Sequence, residues 1–155
     1  MSLRDQLFNT VAKLFFERPN LKKSLREISQ EMDASGKTID ENAGSTPKSE
    51  QAQKTLRHIS GIERWAQQRM RVFLGAEFND EEYDDYRPST DLSLDEQREF
   101  FRNTRQDTLA LIQEFIDADV SLTERVKHND LGPFTVRGWL GYINTHANIE
   151  ARPLR

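Results

Sequence analysis

Apolar residues return at helical spacing in four main stretches of this chain, and no stretch alternates as a half-buried strand must. In the first, Leu3, Leu7, Val11, Leu14 and Phe15 share one helix face, with Ser2 as a cap and Pro19 just past the end. Leu21, Leu25, Ile28 and Met32 continue at the same spacing, as a second short helix or a kinked extension. In residues 49–75, Leu56, Ile59, Ala66 and Met70 line one face and His58, Ile62, Trp65 and Val72 an adjacent one, with Ser49 as a cap and Gly75 as a stop. The third stretch opens on a Ser93/Glu96 capping box. It turns Phe101, Thr104, Thr108, Leu111 and Phe115 inward and ends near Ala118. In the fourth, Thr135 is the cap, and Val136, Trp139, Leu140, Ile143, His146, Ala147 and Glu150 share one face.

Between the first two main helices, residues 33–51 hold one large apolar side chain, Ile39, and read as a long exposed loop. A second connection, "NDEEYDDYRPSTD", is acidic and reads as a solvated linker. The expected fold is therefore all-α, one domain over residues 1–155. It is a four-helix bundle with a long loop between its first two main helices.

Composition narrows the function classes. The net charge of -4 gives no electrostatic reason to bind nucleic acid. The apolar runs are far short of the roughly 20 residues that span a bilayer, so no membrane association is expected. The first residues do not look like a signal peptide. There is no cysteine, which excludes disulfides, thiolate ligands and cysteine nucleophiles. A soluble cytoplasmic protein is the expectation.

The chemistry is carried by polar residues that interrupt apolar faces. His146 and Glu150 are four apart, so their Cβ atoms lie about 6 Å from each other on the packing face of the last helix. A buried carboxylate needs a cation, a proton or a metal beside it. His58 interrupts the second helix in the same way, beside Ile59 and Ile62. If these helices pack together, two imidazoles and a carboxylate form a triad suited to Fe, Ni, Zn or Mn, with open positions left for water or substrate. The structural alternative is a satisfied boundary histidine, with Glu150 paired to Arg152 or Arg155. Against that stands the helix dipole, which disfavours a carboxylate in a last turn.

Three segments carry a family resemblance. "LRHISGIERWAQQRM" resembles the metal-bearing second helix of the DinB-like (DinB/YfiT) superfamily of helical bundles. "FRNTRQDTLALIQEF" looks like its third helix, and "VKHNDLGPFTVRGWLGYINTHANIEARPLR" is similar to its closing segment. The resemblance implies a divalent metal held by one histidine on the second helix and two, spaced H-x-x-x-H, on the fourth. His58 and His146 match the first two; Glu150 stands where the third histidine is expected. What it implies for function is a metal-activated water or thiol, in hydrolase or thiol-transferase chemistry on a small molecule. The alternative is a non-catalytic, stress-associated bundle acting as a dimeric binding module. A homodimer is expected under either.

Other features are decoys or packing. "SGKT" at residues 35–38 ends like a phosphate loop, but Glu31 stands where the motif needs its first glycine. The acidic linker lacks the spaced ligands of a calcium loop. His128 is expected in a loop at the end of the bundle, with Gly132 and Pro133 setting the turn before the last helix. Trp65 and Trp139 are expected in the core, and Glu63 in a solvent-facing salt bridge. No serine sits in an elbow-like motif, so no Ser-His-Asp arrangement is expected.

Overall fold

A computed structural model describes residues 2–155, which form five α-helices and one short hairpin. The helices are α1 (Leu3–Ala12), α2 (Leu25–Ser45), α3 (Ser49–Met70), α4 (Leu94–Asp117) and α5 (Val136–Glu150). The hairpin pairs β1 (Val126–His128) with β2 (Gly132–Phe134) antiparallel, Val126 opposite Phe134. None of these helices is long and apolar enough to cross a membrane.

Local chemistry sets the helix ends. Ser2 with Asp5, Ser24 with Glu27 and Ser93 with Glu96 each form a reciprocal capping box. Thr135 accepts from the Gly138 amide and starts α5. Gly75, at φ +93°, ends the 3-10 turn that follows α3. Ser49 is the first residue of α3 and not its cap; Lys48 occupies that position without a side-chain hydrogen bond.

The expected long loop over residues 33–51 is a helix as far as Ser45. Met32, Gly36, Ile39 and Ala43 are buried at i, i+4, i+7 and i+11. Two of the four are too small to register as an apolar stripe, yet their smallness is what lets α4 approach. A Cβ on Gly36 would lie 3.0 Å from Arg105 Cγ. One carboxylate, Asp40, then ties α2 to both Arg98 (2.9 Å) and Arg102 (3.1 Å) of α4. The helix packed beside α3, α4 and α5 is therefore α2, not the N-terminal one.

The N-terminal segment reverses the expected orientation. Leu3, Leu7 and Phe15, read as an inward face, are 88%, 66% and 64% exposed. The inward residues are instead Ala12, Glu17 and Asn20, with Phe16 partly buried. A π-helical turn over Lys13–Glu17 adds a residue to the turn and shifts the packing face. This turn lies against α5 so closely that a Cβ on Gly141 would collide with the Phe16 carbonyl. Glu17 accepts from the Thr135 amide at 2.9 Å and from Arg125 at 3.0 Å. Its carboxylate sits at the positive end of α5, which favours it there.

The hairpin was not legible as strands, because three residues per strand give no measurable alternation. Gly132 takes φ +83° in its turn.

Candidate metal centre

α3 and α5 pack side by side, which brings His58 to His146. Their Nε2 atoms are 3.1 Å apart. Glu150, one turn beyond His146, places Oε1 3.9 Å from His146 Nε2. One ligand atom from each of the three residues lies within 4.8 Å of the others. Two imidazole nitrogens held about 2.0–2.1 Å from one ion are separated by about 3–3.4 Å. The observed spacing meets that requirement. The three residues expected from the sequence are therefore brought together.

Burial prepares the imidazoles to act as ligands. It lowers the pKa of His146 to about 4, with His58 lowering it further and Glu150 and Glu63 opposing. Burial likewise lowers His58, against the pull of Glu150, and the charge of Arg87 adds to the effect. Both rings are thus neutral at pH 7 and keep a free lone pair. The Glu150 side chain is 45% exposed, so the centre is open on that side. Five surface cavities, of about 230–440 Å³, lie elsewhere; none is lined by His58, His146 or Glu150.

An aromatic wall backs the centre. Tyr142 lies one turn before His146, with ring centroids 6.0 Å apart. It packs on His128 at 4.7 Å, and His128 stacks on Trp139 at 5.3 Å. Trp65 and Trp139 are in the core as expected. His128 is not a loop residue: it lies on β1, only 5% exposed. Its Nδ1 accepts from the amides of Asp130 and Leu131 at 3.1 and 3.2 Å. It is no part of the ligand cluster.

Burial, followed by the charges of Arg69 and His146, pushes the His128 pKa down to about 3. In the unfolded chain it returns to about 6.5. Below pH 6.5 the unfolded state therefore binds more protons, and stability falls as pH drops toward 3. His128 alone adds up to about 1.4 kcal/mol per pH unit to that slope. Urea unfolding of the parent and of His128→Phe between pH 7 and 4 measures it; the variant is expected to have the shallower slope.

Glu63 is not solvent-facing. It is 1% exposed, and both of its oxygens accept from Arg105, at 2.8 and 2.9 Å. Arg105 also donates to the Met32 carbonyl at 2.7 Å and to Ser35 Oγ at 3.1 Å, and Ser35 donates to Asn144 at 2.6 Å. This chain, buried at Glu63 and Arg105 and partly buried at Ser35 and Asn144, joins α2, α3, α4 and α5. A signal for it existed: Arg105 falls between Thr104 and Thr108 on the face read as inward.

The fold and the cluster define a mostly helical protein with a candidate His/His/Glu metal centre between two helices. The family model of the DinB superfamily matches residues 10–150, and the chain belongs to that superfamily. Comparison with curated proteins and with solved structures gave no match.

Proposed function

We propose that the chain is a metal-dependent enzyme of the DinB superfamily. In this reading α2, α3, α4 and α5 form its four-helix bundle. His58 and His146 offer Nε2, and Glu150 a carboxylate oxygen, to one divalent ion. The observation that carries the reading is the 3.1 Å separation of two neutral imidazole nitrogens with a carboxylate beside them. Two nitrogens and one oxygen suit Fe, Ni, Zn or Mn. Such an ion acts as a Lewis acid and brings the proton loss of a water or thiol toward neutral pH. The chain's residues do the rest. Tyr142 and Trp139 keep water from the inner side, and the half-exposed Glu150 marks the side from which a substrate enters. Hydrolysis or thiol transfer on a small molecule is the chemistry this arrangement serves best.

Mass spectrometric metal analysis of tag-free protein tests the reading. About one ion per chain is expected in the parent, with loss of that ion in His146→Ala. A parent that carries no metal and takes up none of added Ni, Zn, Mn or Fe contradicts it.

The exposed stripe on α1 and the π-helical turn that follows it favours a homodimer in addition. Leu3, Leu7, Val11 and Leu14 repeat at spacings that let a second copy of the helix pack face to face. Light scattering at micromolar concentration is expected to give a dimer for the parent and a monomer for Leu7→Glu/Leu14→Glu. A monomeric parent removes the idea.

A further inference from the structure

A cavity of about 370 Å³ lies at one end of the helices, where α2 and α5 begin and α4 ends. Its floor and walls are Leu25, Phe115, Ile116, Val120 and Leu122. Leu25 and Phe115 belong to the core, Ile116 and Val120 are partly buried, and Leu122 is exposed. Apolar surface is thus left uncovered in a concavity of the size that holds a small ligand.

Two cations share this cavity, Arg26 of α2 and Arg137 of α5. Neither guanidinium makes an ion pair or a hydrogen bond among the described residues. Arg137 has its Nε enclosed, but its two terminal Nη groups are not. Both arginines stand at the second position of their helix, where the macrodipole disfavours a cation. The carboxylates at these two helix starts are taken. Glu27 is tied to Ser24, and Glu17 accepts from Arg125 and the Thr135 amide.

Asp119 is the one carboxylate among the lining residues, and it pairs with neither arginine. Its place has a backbone reason. It takes φ +47° just past α4, a conformation that aspartate tolerates better than most residues. Two guanidiniums against one exposed carboxylate leave the lining with a net charge of +1, on a chain of net charge -4.

The chemistry selects the occupant. An apolar concavity takes an apolar body, and unpaired guanidinium forks take a planar carboxylate through charge-assisted hydrogen bonds. We propose that this cavity binds a small amphiphilic carboxylate, such as a medium-chain fatty acid. Its chain lies against Phe115 and Val120 and its carboxylate at Arg26 and Arg137. The site is separate from His58, His146 and Glu150, none of which lines it, and it needs no metal there.

Isothermal titration of octanoate, octanol and acetate into the protein tests this. Octanol carries the chain without the charge, and acetate the charge without the chain. Octanoate is expected to bind about tenfold or more tightly than either. In Arg26→Gln/Arg137→Gln its advantage over octanol is expected to fall to near unity. Leu122→Glu, at an exposed position, is expected to abolish octanoate binding and leave the melting temperature unchanged. Amide NMR shifts on adding octanoate are expected at Leu25, Ile116, Val120 and Leu122. A parent that binds no octanoate at millimolar concentration, or binds octanol as tightly, overturns the proposal. An octanoate advantage that survives in the double arginine variant, or binding retained in Leu122→Glu, does so too. Shifts confined to the exposed stripe of α1 are adsorption there, and binding lost on adding EDTA is ligation at a metal; either result overturns it.

Discussion

Arg105→Met is expected to lower the stability of the fold by about 3–5 kcal/mol. Arg105 and Glu63 are 3% and 1% exposed, so water compensates neither. The substitution removes both guanidinium donors to Glu63 and strips the Met32 carbonyl and Ser35 of a partner. Glu63 is left with the Thr108 hydroxyl at 2.7 Å, which does not neutralise a buried carboxylate. The loss is of a compensating charge and not of volume. The double variant Glu63→Leu/Arg105→Met is therefore expected to recover much of the stability, because replacing both ions by apolar groups removes the burial penalty along with the attraction. Urea unfolding of the parent, both single variants and the double variant gives the coupling. A cost below about 1 kcal/mol for Arg105→Met, outside the range for broken buried pairs, contradicts the account.

Trp139→Ala is expected to cost about 3–5 kcal/mol. Trp139 has no exposed surface and lies within 5.3–6.1 Å, ring to ring, of Trp65, His128, Phe134 and Tyr142. Its indole also donates to the Val126 carbonyl at 3.0 Å, fixing β1 to α5. Removal opens a cavity and takes the indole donor from that carbonyl. Trp139→Phe keeps most of the volume and loses only the donor, so it is expected to cost less. The ring wall behind His146 loosens in the alanine variant, so metal affinity is expected to fall with stability. Thermal melts with and without added metal report both effects. Unchanged metal affinity in a destabilised variant would separate the wall from the centre.

The candidate site was legible because its signal is local. His146 and Glu150 are four residues apart, and His58 breaks an apolar face; both facts survive any packing of the helices. The Ser93/Glu96 capping box and the inward stripe of α4 were legible for the same reason. α2 was not, since Gly36 and Ala43 bury by being small and a hydrophobic pattern is blind to that. The crossing of the linker over α3 was not either: it rests on Gly61, where a Cβ would lie 2.6 Å from Arg87 Cγ, a contact over 26 residues of chain.

The sequence by itself determined that the chain is helical, where most helices begin, and which three side chains are candidates to share a metal. Those are properties of spacing along one helix and of hydrogen bonds within four residues. Tertiary structure alone decided which face of the N-terminal helix packs, which helix stands beside α4, and that Glu63 and Arg105 pair in the interior. It also decided that the two histidine nitrogens meet at 3.1 Å. Each of these turns on how closely two distant backbones approach, and that is set by the shapes of both partners at once.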